Sequence, residues 1–176
     1  NNLNDMTMER SCATLFGYTH EEVERNLPGL LGRFAEANGL TRAQGLAEIG
    51  RWYDGYRFEE EAERVINPVS LGLCLASCKL RNYWSTTAMT TFLMDALKRQ
   101  PLNFAKVDVD ESVLGTYEPD RADLTTLLFQ TGYLTIKALH VLGRRRLYTL
   151  DFPNAEVEDS FVTQVVPAYT AQDEDF

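Results

Sequence analysis

The sequence has no apolar run that approaches the roughly 18–20 residues needed to cross a bilayer. Its cysteines are few, Cys12, Cys74 and Cys78, and they do not make a disulfide framework. The first residues, Asn1–Asp5, have the character of neither a signal peptide nor a transit peptide. Together these absences predict a cytoplasmic protein that has no membrane partner.

Two motifs that hold nucleotides or metals are also absent. A P-loop ends in Lys-Ser or Lys-Thr, and none of the four lysines is followed by either residue. Restriction-like nucleases place an acidic residue two positions before a lysine, and the residues found there are Ser77, Ala96, Phe104 and Thr135. We therefore predict that this chain is not an enzyme by itself and that it binds no cofactor of its own.

Histidine and clustered metal ligands are scarce. The two histidines, His20 and His140, are predicted in the first turn of a helix and at a hairpin tip, where both would be solvated. Cys74 and Cys78 are four apart on an apolar helix and could share zinc, but burial as small hydrophobic residues is favoured. The acidic run 59–63 is interpreted as a solvated loop. The sequence thus predicts no metal site.

The net charge of −9 is unevenly distributed. Residues 121–152 carry five basic and two acidic side chains, which gives this segment +3. The one basic cluster, Arg144, Arg145 and Arg146, falls at a predicted hairpin tip and could contact the phosphate backbone of DNA. The more ordinary interpretation is a solubilising tip or a contact with the carboxylates of another domain. The acidic remainder of the chain disfavours nucleic acid as a partner.

Periodicity and capping residues predict a mainly α fold with a small β component, which is the α+β class. Side chains that can cap a helix predict starts after Thr19, Thr41, Asn67 and either Thr86 or Thr87. The first two are followed three residues later by Glu or Gln, the spacing of a capping box.

The last third of the chain has a different pattern. A short amphipathic helix ends at Gly132 and is followed by alternating segments at Tyr133–Leu139 and Arg146–Phe152. Pro153-Asn154 then begins a final helix. This order is the outline of a winged helix. Residues 102–120 show no clear period and are predicted to form a connector.

Seven short stretches are distinctive in their composition, order and spacing. The residues in them that matter most are Trp52, Tyr53, Asp54, Gly55, Tyr56, Asn67, Pro68, Trp84, Gly132, Tyr133, Pro153 and Asn154. Together the stretches resemble a bacterial AAA-ATPase-like family whose members carry a PD-(D/E)XK nuclease-type domain downstream. The resemblance extends over nearly the whole chain.

The resemblance implies an internal segment of a longer protein. Its partners would be an upstream P-loop ATPase core and a downstream nuclease-like domain of the same chain. Residues 1–103 would form a helical lid-like region, 104–120 a connector, and 121–176 a winged-helix-like region with a terminal helix. ATP and magnesium are implied only for the parent protein. No position here matches the family's phosphate-binding or metal-binding residues.

The leading hypothesis is a non-catalytic lid that couples the nucleotide state of the core to the nuclease-like domain. One arginine of such a lid commonly approaches the phosphates, and Arg51, Arg57 and Arg64 lie near the most distinctive motif. The sequence does not choose among them. The alternative is a winged-helix DNA-binding module that uses the basic tip, Arg144–Arg146.

Overall fold

The computed structural model describes residues 8–84, 107–114 and 124–165. The helix predicted after Thr86 or Thr87 lies outside these ranges. Within them the chain has the predicted α+β fold, in which helices come first and a small antiparallel sheet follows. In chain order the elements are a 3-10 turn (Arg10–Cys12), α1 (His20–Asn26), α2 (Pro28–Ala37), α3 (Arg42–Tyr53), α4 (Pro68–Ser77), β1 (Val107–Asp110), α5 (Glu111–Leu114), α6 (Leu124–Gln130), β2 (Thr135–Leu142), β3 (Arg145–Asp151), α7 (Ala155–Ser160) and a π-helical turn (Phe161–Val165).

The predicted caps of α1, α3 and α4 are confirmed. The hydroxyl of Thr19 accepts from the backbone N–H of Glu22, whose carboxylate accepts from the N–H of Thr19 at 2.9 Å. Thr41 and Gln44 form the same reciprocal pair at the start of α3. The side chain of Asn67 caps α4. Each cap satisfies backbone donors that a helix leaves open in its first turn, so these starts are encoded locally.

Helices α1–α4 enclose a first hydrophobic core. Its centre is fully buried and combines Phe34 from α2, Ile49 and Tyr53 from α3, and Leu71 from α4. The strand-like residue Ile66 joins it through a backbone bridge to Tyr18. We call this cluster the helical core.

The sheet and the helices around it enclose a second core, which we call the sheet core. The strand order is β1-β3-β2 and both pairings are antiparallel, so β3 is central. The predicted hairpin turns at Gly143, whose φ of 66° suits glycine. The buried residues at the centre of this core include Tyr133, Ile136, Tyr148, Leu150, Val157 and Phe161.

Residues 107–114 lie within the connector predicted over residues 104–120. They form β1 and α5, and Val109 is buried opposite Tyr148 of β3. A four-residue strand is too short to show a period by itself, and its partner lies almost forty positions further along the chain. The proposed domain limits at 103/104 and 120/121 lie outside the described residues and stay predictions, as does the winged-helix assignment.

Candidate functional site at the junction of the two cores

The most distinctive sequence motif forms the junction between the two cores. Helix α3 ends at Tyr53 in the helical core, and three residues later Tyr56 is buried in the sheet core. Between them, Gly55 has a φ of 122°, and a Cβ atom there would overlap the carbonyl oxygen of Pro153. Only glycine allows the two backbones to come this close. We call residues 54–57 the junction loop.

Arg57 is fixed to the first residue of β2. Its backbone N–H donates to the hydroxyl of Thr135 at 2.8 Å, and that hydroxyl donates to the carbonyl of Arg57 at 3.0 Å. The Nε of Arg57 is buried and has no hydrogen-bond partner among the described residues. A buried donor without a hydrogen-bond acceptor is uncommon. The Nε–H of Arg57 is therefore available to donate to an added acceptor.

Lys137 lies on the other side of the junction loop. Ile136 pairs with Leu150 and Ala138 with Thr149, so Lys137 is the extra residue of a β-bulge. Its ammonium donates to the carbonyl of Pro153 at 3.0 Å. The same carbonyl therefore contacts Gly55 and accepts from Lys137.

The environment of Lys137 lowers its pKa. Burial is the main cause, because it penalises the charged ammonium. The nearby cations Arg64 and Arg57 act in the same direction, while the carboxylates of Asp151 and Asp54 oppose them. Two further cations and two carboxylates thus influence the charge of Lys137.

Asp54 connects this cluster to α1. Its Oδ2 lies 3.2 Å from Nε2 of His20, whereas its Oδ1 is buried without a hydrogen-bond partner among the described residues. His20 is therefore not simply solvated, as predicted, but paired. Gly50 of α3 leaves room for the imidazole in this position, because a Cβ there would lie 2.8 Å from it.

A buried carboxylate, Glu156, joins the elements around the junction. Its side chain is fully buried in α7 and accepts from the hydroxyl of Ser70 at 2.8 Å. It also accepts from the backbone N–H groups of Tyr83 at 2.7 Å and Trp84 at 3.1 Å. Burial raises the pKa of Glu156, and the three donors oppose that shift. One side chain thus holds α4, the segment after it and α7 together.

Five of the motif residues line a pocket of about 230 Å³ beside the junction: Tyr56, Asn67, Pro68, Trp84 and Gly132. Gly132 has a φ of 80°, and a Cβ there would lie 3.1 Å from the ring of Trp84. Trp84 in turn packs edge-on against Tyr133. The pocket is lined by Phe16, Tyr56, Phe58, Val65, Ile66, Asn67, Pro68, Trp84, Phe129, Gln130, Thr131 and Gly132. The motif residues, dispersed in sequence, therefore come together in the fold.

The three candidate nucleotide-sensing arginines are in different situations. Arg51 is exposed, pairs with Glu48 at 2.9 Å and lies over the ring of Trp52. Arg57 is partly buried and Arg64 is exposed, and the antiparallel bridge between Tyr56 and Val65 places the two opposite each other. Both lower the pKa of Lys137, whereas Arg51 is not among the groups that shift it.

Two arginines of the predicted basic tip already face carboxylates. Arg146 pairs with Glu60, and Arg145 lies 3.5 Å from Asp110. Arg144 is exposed and has no ion pair with any residue in the described ranges. Arg145 and Arg146 would have to give up these pairs to reach a DNA phosphate. DNA binding through this tip stays a prediction. The acidic run 59–63 is correspondingly not a purely solvated loop, because Glu60 faces the hairpin.

Cys74 and Cys78 differ in exposure. Cys74 is fully buried in the helical core, and burial raises the pKa of its thiol to about 11. Cys78 is half-buried and ends α4 with a φ of 54°. Among the residues that the structure describes, no group of three or more His, Cys, Asp or Glu side chains could hold a metal ion. The described part also contains no helix long and apolar enough to cross a membrane.

We expect Cys74 to resist a thiol reagent until the protein unfolds. At about pH 8 a thiol with this pKa is ionised in roughly one molecule in a thousand, and the fold also blocks access. Cys12 and Cys78, which are only partly buried, should react before Cys74 in the native protein. Mass spectrometry of the modified peptides over time checks the order. Equally fast labelling of Cys74 and Cys12 would contradict the buried position of Cys74.

Sequence reasoning missed Lys137 and Glu156 as site residues. A signal was present for each: Lys137 is the one charged residue in the apolar segment Tyr133–Leu139, and Glu156 lies in the distinctive stretch Pro153–Val157. Neither feature of the sequence predicts which groups the side chain contacts. The partners of Glu156 are more than seventy positions away, so only the fold brings them together.

Comparison with known proteins gives a relative but no function. No model of a known protein family matches the chain, and no solved structure matches it. It is 35% identical over 164 residues to a protein of Azotobacter chroococcum mcd 1 described as "Uncharacterized protein in vnfD 5'region". The match covers 91% of this chain and 29% of that relative. The chain thus spans less than a third of the length of the relative.

Proposed function

We propose that this chain is a non-catalytic lid and interdomain segment of a cytoplasmic protein. It would couple the nucleotide state of an upstream P-loop ATPase core to a downstream nuclease-like domain. The observation that carries the proposal is the junction loop, which closes the helical core at one end and is fixed to β2 and Pro153 at the other. A displacement of α3 would therefore move the sheet half with it.

A lid of this kind needs a contact that depends on the nucleotide. ATP would supply a polyanion, and a ligand shifts a conformational equilibrium only if it binds the two states with different affinity. Arg57 is the best of the three candidate arginines, because its Nε is buried without a partner in the described structure and it lies beside Lys137. Arg51 is the weakest candidate, since Glu48 already pairs with it. The chain offers cations for a contact to phosphates but lacks the Lys-Ser or Lys-Thr of a P-loop.

The similarity to a much longer protein is compatible with this role. Most of the Azotobacter relative lies outside the match, which leaves room for further domains. The description of that relative mentions neither an ATPase nor a nuclease. The ATPase core and the nuclease-like domain therefore come to the proposal from the resemblance of the motifs.

The test is ATP hydrolysis by the longer protein that carries this segment. We expect Arg57→Ala to lower the hydrolysis rate about tenfold or more, because an arginine that reaches phosphates stabilises the charge of the transition state. Arg51→Ala is the matched control and should stay within about twofold of the wild type, since its charge is already paired.

Two results would count against the proposal. If the longer protein hydrolyses ATP and none of Arg51→Ala, Arg57→Ala and Arg64→Ala changes the rate, no lid arginine acts here. If the 176-residue chain alone hydrolyses ATP or cuts nucleic acid, the segment is not a non-catalytic one.

A further inference from the structure

The β-bulge at Lys137 directs a charged side chain toward the junction loop. In a regular strand the residue after the buried Ile136 would point to the opposite face of the sheet. Here the extra residue leaves the ladder, and its ammonium lies against the carbonyl of Pro153. Bulges are frequent beside functional sites because they re-aim a side chain in this way.

Three cationic residues come together here. The antiparallel bridge between Tyr56 and Val65 places Arg57 opposite Arg64, and the backbone N–H of Arg57 donates to Thr135, two residues before Lys137. Asp54 and Asp151 are the carboxylates that act on Lys137. Both carboxylates have other partners as well: Asp54 faces His20, and Asp151 accepts from the backbone N–H of Phe152 at 2.8 Å. Neighbouring cations repel one another, most strongly where they are partly buried, as Lys137 and Arg57 are, and a bound anion relieves that repulsion.

We propose that Lys137, Arg57 and Arg64 form a binding site for the phosphoanhydride oxygens of a nucleoside di- or triphosphate, with Lys137 on its bulge as the central ligand. The open Nε of Arg57 supplies a directed donor, and the ammonium of Lys137 keeps donors to spare beyond the one given to Pro153. Because Lys137 is recessed, a protruding terminal phosphate fits better than the continuous backbone of a duplex. The inference rests on the proposed function only for the identity of the nucleotide.

Pyrophosphate is the first probe, with the 176-residue chain labelled with ¹³C at lysine Cε. The chain has four lysines, so the spectrum contains four resolvable signals. We expect pyrophosphate, ADP and ATP to shift the Lys137 signal saturably and to raise the pKa of Lys137, because a bound anion favours the charged form. Lys79, which is exposed, should not respond. A single-stranded DNA oligomer that shifts Lys137 while pyrophosphate does not would overturn the proposal.

Variants give an independent measurement by calorimetry. Lys137→Gln should weaken pyrophosphate binding at least tenfold, and Lys79→Gln should leave it within about twofold. If Lys137→Gln does not fold, Arg57→Gln should weaken binding by a similar factor, since it leaves the bond from Lys137 to Pro153 intact. Unchanged binding in a folded Lys137→Gln or Arg57→Gln variant would overturn the site.

The experiments test the proposed phosphate-binding site and the proposed lid function independently. Pyrophosphate binding that depends on Lys137, combined with unaltered ATP hydrolysis by Arg57→Ala in the longer protein, would support the site and reject the lid. Loss of hydrolysis without any response of Lys137 to pyrophosphate, ADP or ATP would reject the site and keep the lid.

Discussion

Replacing Glu156 with alanine should lower the free energy of unfolding by about 4 kcal/mol. The change leaves the hydroxyl of Ser70 and the N–H groups of Tyr83 and Trp84 without this acceptor, and it opens a cavity in a fully buried position. An interior donor that loses its acceptor costs about 1–3 kcal/mol, and the three losses are coupled, so they do not simply add. Urea unfolding followed by circular dichroism measures the change.

Glu156→Gln is the matched control, because its amide keeps an oxygen for the two backbone donors and can pair with the hydroxyl of Ser70. We expect it to stay within about 1 kcal/mol of the wild type. Equal destabilisation by glutamine and alanine would show that the hydrogen bonds of the carboxylate contribute little.

The pH dependence of the free energy of unfolding, compared between wild type and Glu156→Gln, gives a second check. Burial raises the pKa of Glu156 above its value in the unfolded chain, which is about 4.3. The stability that Glu156 contributes is therefore complete below that unfolded value and is lost as the pH rises through the folded value. Glutamine cannot ionise, so the stability of Glu156→Gln relative to wild type should increase from about pH 4 toward neutrality. A relative stability that falls over this range would mean that the folded pKa is not raised.

Local structure could be predicted from the sequence where the information is itself local. The caps at Thr19, Thr41 and Asn67 act on donors two or three residues away, so the composition of a short window is sufficient. The β2–β3 hairpin follows from two alternating segments around Gly143 in the same way. β1 was missed because its four residues owe their strand form to β3.

The candidate site could be predicted only in part, since its contacts are long-range. Motif resemblance pointed to Asp54–Tyr56 and Pro153-Asn154, but not to the contact between Gly55 and Pro153. The sequence does not distinguish Arg51, Arg57 and Arg64, because the bridge between Tyr56 and Val65 that places Arg57 opposite Arg64 is a property of the fold. The bulge that aims Lys137 is a property of strand register, which the sequence of β2 alone does not specify.

The contact between Gly55 and Pro153 leads to a second large effect, that of Gly55→Ala. We expect this change to lower the free energy of unfolding by about 4 kcal/mol, of which the φ of 122° contributes about 1–3 kcal/mol as strain. The remainder comes from the overlap of the new methyl group with the carbonyl of Pro153, which backbone movement alone can relieve. Gly72→Ala is the control: Gly72 is exposed within α4 with open space around it, and alanine there should stabilise the chain by about 0.5–1 kcal/mol.

The two glycine variants also test the coupling that the lid proposal requires. In Gly55→Ala the junction loop and Pro153 must move apart to relieve the overlap. If the junction loop couples the two cores, this movement should make the cores unfold at different free energies. Hydrogen exchange should then show amides of β2 and β3 opening in Gly55→Ala at a free energy different from that of α3, whereas in Gly72→Ala both regions should open together. A Gly55→Ala variant as stable as wild type would mean that the two backbones can part without cost. The junction could then not couple the helical half to the sheet.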